Sequence, residues 1–180
     1  MTETLPNAQT ARDVTIRAYR PSDHGACRRL WAELTEHQRD LFGDPQLGGR
    51  DPGAGFEEYL TRLDLSGMWV ADHREDGVGG FVGLILEGRS GEVDPVVVAE
   101  SMRGQGVGRA LLARVEDEAR ARGLHRLSVS PAARDPGALH TVYAAGFTRL
   151  STVTLTIELR AGADLPADGD LDLHGLRFTL

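Results

Sequence analysis

The residues best suited to chemistry lie in one run, Arg103-Gly104-Gln105-Gly106-Val107-Gly108-Arg109. An apolar stretch, Val93 to Ala99, precedes it, and a helix-like stretch follows. The order strand, glycine turn, helix makes an anion site. Glycines let the backbone come close to a ligand, and the first amides of a helix have no acceptor inside it. Those donors, with the helix dipole, favour a phosphate. Arg103 and Arg109 can add charge-assisted bonds. Two carboxylates, Glu92 and Asp94, flank the first residue of the same apolar stretch. Being two residues apart on a strand, they share one face.

A dinucleotide site is the rival reading of the glycines. It needs G-x-G-x-x-G, but the third spacing fails because Arg109 follows Gly108. It also wants an acidic residue at the end of the next strand, and none occurs between Gly123 and Arg134.

Composition removes other chemistries. All 20 cationic side chains are arginines; there is no lysine. A P-loop needs a Lys after its glycines, Schiff-base and pyridoxal enzymes need a Lys amine, and kinases place a strand Lys on the nucleotide phosphates. The net charge of −7 argues against a nucleic-acid partner. The single Cys27 cannot form an internal disulfide and suits a reducing, cytoplasmic setting. No apolar run has the length of a membrane helix, and the polar stretch MTETLPNAQTARD does not read as a signal peptide. No His/Cys/Asp spacing suggests a metal, and Cys27 falls on an apolar helix stripe.

The elements that must position these residues follow from periodicity. The first dozen residues read as disordered. Val14 to Tyr19 alternate like a strand. Ser22 is a candidate N-cap for a helix whose apolar stripe includes Cys27, Leu30, Trp31 and Leu34. Residues 43–55 form a Gly/Pro-rich loop or lid, followed by a short helix from Phe56 to Leu63. Asp76-Gly77 joins two apolar runs in a hairpin. Pro95 requires a strand start, an edge or a bulge. Val107, Leu111, Val115 and Ala119 give the helix after the glycines one buried face, backed by Glu116–Arg120 and Glu118–Arg122 pairs. Leu124 to Ser130 is a strand, Asp135 to Ala145 a helix, and Phe147 to Leu159 one or two final strands. Residues 161–170 read as an acidic linker before LDLHGLRFTL, which could add to a sheet edge or swap into a partner chain, making a homodimer.

With this context the chain resembles the GNAT acetyltransferase superfamily. The signature [RQ]-x-x-G-x-[GA] is met by Arg103, Gly106 and Gly108, and the match extends from Val98 through Leu111 and Leu112. Further on, Tyr143-Ala144-Ala145-Gly146-Phe147 resembles the family's Y-x-x-G-F helix end. The run from Arg17 to Ser22-Asp23 is similar to its first strand entering its first helix. The resemblance implies an α/β (α+β) fold. This would be a single domain over residues 12–160, followed by a C-terminal extension over 161–180. A mixed, mostly antiparallel sheet of six to seven strands would be flanked by helices, with a splayed central parallel pair binding acyl-CoA.

The implied activity is transfer of an acetyl group from acetyl-CoA to a primary amine of a small molecule or peptide, by direct attack in a ternary complex. The alternative is an acyl-CoA-binding module without turnover. The amides of Arg103, Gly104, Gln105, Gly106, Val107 and Gly108, with Arg109, would hold the pyrophosphate. The strand at Val96, Val97 and Val98 would pair with the pantetheine arm, and an amide near Val98 would polarise the thioester carbonyl. The resemblance makes Tyr143 the proton donor to the leaving thiolate and places it beside the cofactor. Asp94, nine residues before Arg103, would be the general base, with Glu92 as second candidate. Many members carry an Asn in the first turn of the Tyr helix; here Asp135-Pro136-Gly137 stands there, leaving Pro136 as a cofactor contact. Glu100 replaces a Pro often found at the strand end. His140 and His37 are weaker candidates. The acids between Glu36 and Glu58 would suit a cationic acceptor.

Overall fold

The computed structural model describes residues 13–157, 159 and 169–179. The expected disorder of residues 1–12 and most of the acidic linker lie outside these. Five strands form the main sheet in the order β1-β2-β3-β4-β5. They are β1 (Val14–Ala18), β2 (Met68–His73), β3 (Gly77–Glu87), β4 (Ser90–Val98) and β5 (Arg126–Val129). The first three pairings are antiparallel and the last is parallel.

Period-two alternation divides the core. Trp69, Ala71, Val82, Leu84 and Val93 face one way and pack with Leu111, Leu112, Val115 and Val142. Met68, Val70, Phe81 and Val97 face the other way and pack with Cys27, Leu30, Phe56 and Tyr59. The first face is covered by α3 (Val107–Ala121) and α4 (Pro136–Ala144), the second by α1 (His24–Phe42) and α2 (Gly55–Leu60). Although α2 has only six residues, Phe56 and Tyr59 are fully buried and meet Trp31 and Phe81 ring to ring. Each such burial is worth about 1.5–3 kcal/mol, which anchors a helix too short to stand alone.

Local rules account for most boundaries. Gly43, at φ 61°, ends α1, and Gly123, at φ 67°, follows α3. The Glu116–Arg120 and Glu118–Arg122 pairs form, the latter at 2.9 Å. Arg122 also donates to Ser66 O, and Arg114 lies 5.1 Å over the Trp69 ring. Ser22 does not cap α1: it sits in a short 3-10 turn, Pro21–Asp23. Asp23 instead turns back, accepting from the Arg20 amide and from Arg17.

Two strand expectations change. β4 starts at Ser90, earlier than its apolar run, because Ser90 and Gly91 pair with Glu87 and Leu86 across a tight hairpin. Residues 151–157 belong to no strand, although their pattern alternates, and Val153, Leu155 and Ile157 are exposed. Alternation fixes which way side chains point; a strand also needs a partner for its backbone. The main sheet therefore has five strands, and LDLHGLRFTL folds as a separate hairpin of β6 (Asp170–Leu173) and β7 (Leu176–Thr179). Its turn, His174-Gly175, holds both residues at positive φ.

Candidate active site

The sheet opens where β4 and β5 part. The two are in register from Ser90↔Arg126 to Val93↔Val129. Beyond Val93, β4 continues against β3 alone, with Val96↔Val82, Val97↔Phe81 and Val98↔Gly80. The other edge of β4 at Val96, Val97 and Val98 therefore borders a gap among the described residues. Val97 is buried in the core, so only its backbone can meet a ligand.

Pro95 explains how β4 changes face. The β3–β4 register slips between Val82 and Leu84, a bulge at Pro95. Before it, Val93 points towards α3; after it, Val97 points towards α2. Glu92 and Asp94 thus lie on the α1/α2 side of the sheet.

At one end of the gap stands the glycine turn. Gly104 and Gly106 have φ of 72° and 82°, and a side chain added at either would meet nothing within 4 Å. The open space is a cradle over the start of α3. Gly106 occupies the N-cap position and offers no side-chain acceptor, so the amides of Val107, Gly108 and Arg109 stay available to a ligand. Val107 is buried and can contribute only its amide. Gly108 serves packing, because a Cβ there would press to 3.3 Å from Thr141 of α4. Arg103 is exposed, and its Nε donates to Val98 O at 3.1 Å, tying the turn to the end of β4. Gln105 donates to Ser101 O while its own Oε1 is buried without a partner. Arg109 is exposed on α3. An unused helix start with room above it fits a pyrophosphate group.

On the opposite side of the sheet sit the carboxylates. Asp94 is half-buried, and its nearest cation is Arg62, at 3.8 Å just past α2. Burial pushes the Asp94 carboxyl above the usual carboxylate range; Arg62 pulls it down and Glu92 pushes it up. Glu92 is exposed and accepts from Ser130 at 3.3 Å.

Tyr59 completes this corner. Its hydroxyl is buried without a partner, and burial, then the Asp94 charge, raises its pKa. The space for it exists because residue 83 is glycine: a Cβ there would lie 1.6 Å from Tyr59 Oη and 2.7 Å from Asp94 O. In the sequence Tyr59 lies inside the short helix expected from Phe56 to Leu63, and nothing there marks its hydroxyl. Arg62 was missed as well. The only available signal was Gly83 in the middle of an apolar strand, which marks a close approach or a bulge.

Tyr143 lies on α4, on the other side of the sheet from Asp94, and is 67% exposed. Pro136 opens α4 beside the cap residue Asp135, whose carboxylate accepts from the Ala138 amide. Asp135 also meets His37 of α1 at 2.8 Å. Burial works against its charge, but the Ala138 amide and His37 hold it below the ordinary range. His37 thus joins the acceptor-side helix to the start of α4. His140 bonds Pro136 O on its own helix.

Of the acids between Glu36 and Glu58, three are matched to arginines. Arg28 pairs with Asp51 and Glu57, and Arg39 with Glu36. Outside that stretch, Glu33 and Glu100 line a shallow depression with Ala99 and Ser101 at the end of β4. Among the described residues no cluster of His, Cys, Asp or Glu could hold a metal ion, and no helix is long and apolar enough to cross a membrane.

A sheet splayed around a backbone anion cradle places the protein among the acyltransferases. The profile of the acetyltransferase (GNAT) family matches residues 29–147, and the chain belongs to that family. An IAA acetyltransferase of Azospirillum brasilense is 48% identical over 124 residues, covering 68% of this chain and 72% of its own. A Mycobacterium tuberculosis protein solved in complex with CoA and NLQ is 25% identical, with a TM-score of 0.54 over 79% of this chain and 76% of its own. A mutant Bacillus halodurans protein shares the fold at a TM-score of 0.69 and 16% identity, covering 81% of this chain and 99% of its own. The family transfers acetyl groups from acetyl-CoA, and this chain is an acetyltransferase.

Proposed function

We propose that the protein acetylates a primary amine of a small molecule or peptide, by direct attack in a ternary complex with acetyl-CoA. The domain doing so spans residues 12–160. The observation that carries the reading is Asp94: a half-buried carboxylate of raised pKa, set by a β-bulge beside the gap in the sheet. A carboxylate shifted upward is a stronger base, closer to what an ammonium proton requires. The open cradle over α3 supports cofactor binding there.

In this reading the amides of 104–108 and the guanidiniums of Arg103 and Arg109 hold the pyrophosphate, the Arg103 amide itself donating to Glu100 O. The free edge of β4 at Val96, Val97 and Val98 pairs with the pantetheine arm, and Pro136 packs against it. An amide near Val98 donates to the thioester oxygen as the tetrahedral intermediate forms. Asp94 takes the amine proton, directly or through a water, and Glu92 helps hold the ammonium before that step. Tyr143 gives its hydroxyl proton to the leaving thiolate. The acidic depression at Glu33 and Glu100 draws a cationic amine towards the end of β4.

The test is thiol release from acetyl-CoA across a panel of amines, with IAA included because it appears in the relative's name. Release with cationic primary amines, and loss of it in Asp94→Asn, is the expected result. Release with IAA alone, or with no amine, would replace the amine reading.

A further inference from the structure

The Tyr59 hydroxyl takes no part in the transfer as proposed. Tyr59 of α2 is 1% exposed, and among the described residues its hydroxyl has no hydrogen-bond partner. A phenylalanine would fill the same ring space between Trp31, Phe56 and Phe81 without burying a polar group. The chain instead carries the hydroxyl and leaves a place for it. Residue 83, inside β3, is glycine, and a Cβ there would come 1.6 Å from Tyr59 Oη. Glycine within a strand and a lone buried hydroxyl each cost stability. Both fall at one point, beside Asp94, whose carbonyl oxygen would lie 2.7 Å from the same Cβ.

The groups around the hydroxyl decide what it can bind. Those that act on it electrostatically are Asp94, Arg62 and Cys27. Burial, then the Asp94 charge, keeps the phenol protonated, so it is a donor in search of an acceptor. Arg62 carries only donors, and the buried Cys27 thiol is itself held protonated. Asp94 is the one strong acceptor of the three. Its carboxylate can turn, because the Arg62 guanidinium stands 3.8 Å away, beyond hydrogen-bond range and open to water. The Arg62 amide bonds Tyr59 O at 2.9 Å, so a single turn of chain brings both side chains to Asp94. Tyr59 approaches it from the core and Arg62 from solvent. Glu92 has no such buried donor, only Ser130 at 3.3 Å.

We propose that Tyr59 is the positioning residue for Asp94. A turn of the Asp94 side chain away from Arg62 brings one carboxylate oxygen to the Tyr59 hydroxyl, which donates to it. The other oxygen is then held towards the gap, where it meets the acceptor ammonium. Fixing the carboxylate before the amine arrives removes a rotation that the reaction would otherwise have to freeze. Tyr59 keeps its own proton throughout and touches neither substrate. This role rests on Asp94 as the base.

Tyr59→Phe deletes the hydroxyl and keeps the ring. With the panel amine that releases thiol fastest, kcat should fall about 10-fold while the KM for acetyl-CoA stays unchanged. Its Tm should hold or rise, since an unpaired buried group has gone. An unchanged kcat, or a slower enzyme with a lower Tm, overturns the proposal. The double variant Tyr59→Phe/Asp94→Asn should be no slower than Asp94→Asn alone, because the hydroxyl acts through the carboxylate. Losses that multiply overturn it too. The same series tells two failures apart. Asp94→Asn at the wild-type rate, or a chain that acetylates no amine of the panel, removes the base reading and the role of Tyr59 with it. A slow Asp94→Asn beside a Tyr59→Phe of full rate removes the role of Tyr59 alone.

Discussion

The two walls of the opened sheet recognise by different means. The wall at α3 is contiguous in sequence and works through backbone: two glycines at positive φ, then three free helical amides. The wall at Asp94 draws on β4, the α2 region and β5, whose members lie up to 71 residues apart from Tyr59 to Ser130, and works through side chains. The first needs only local geometry, so it tolerates any neighbours that keep the turn. The second needs a bulge in β4, a missing side chain at Gly83 and a short helix pinned by aromatics, all at once. A binding surface made of amides is robust, whereas a reactive carboxylate depends on distant residues agreeing.

Substitutions can break this contrast. The largest effect should come from Gly106→Val. A branched residue at φ 82° is strained, and its side chain fills the cradle. Strain together with lost charge-assisted bonds comes to about 4 kcal/mol, or about a 10³-fold loss of CoA affinity by calorimetry. Unchanged affinity would move the pyrophosphate elsewhere.

Asp94→Asn should come next, lowering kcat by about 10²-fold while CoA affinity stays within a factor of two or so. The folded protein should not suffer at neutral pH. Because the fold raises the Asp94 pKa, its proton is held more tightly when folded; that contribution to stability is present below pH 3.8 and lost as pH rises through the folded value. Removing the charge therefore costs no stability at pH 7, and a lower Tm would mark Asp94 as structural. Asp23 shows the opposite sign. Hydrogen bonding from Arg17 lowers its pKa against the cost of burial, so its contribution holds above 3.8 and fades as pH falls through the folded value.

Tyr143→Phe should cost about 10-fold in kcat with little change in KM, read by steady-state kinetics. The smallest effect sharpens the acceptor wall. Arg62 lowers the Asp94 pKa, so Arg62→Gln should move the acidic limb of the kcat/KM profile to higher pH. At 3.8 Å and largely exposed, this pair should change stability by less than about 1 kcal/mol. An unmoved limb would detach Asp94 from that limb.

What could be read from the sequence follows the same division. The α3 face, its ion pairs, the Asp76-Gly77 hairpin and the glycine turn are each set by residues within one or two helical turns, and each formed. The bulge at Pro95 was legible because a Pro cannot donate within a central strand. Tyr59 was not, since an aromatic at helical spacing looks the same whether its hydroxyl meets solvent, core or a reaction centre. The His37–Asp135 bond joins residues 98 apart, and nothing local announces it. Residues 151–157 failed for another reason: alternation encodes facing, while pairing belongs to whichever edge is free.

The burial of Cys27 has a consequence for the product. Each turnover of an acetyl-CoA-dependent transferase sets a free thiol loose beside the protein. A chain with an accessible thiolate would exchange with the oxidised, disulfide form of that thiol, releasing one thiolate and being left as a mixed disulfide. Cys27 is completely buried and burial pushes its thiol up to about 12, so the chain keeps its one thiol protonated and out of reach. The enzyme can work in its own exhaust without being tethered to it.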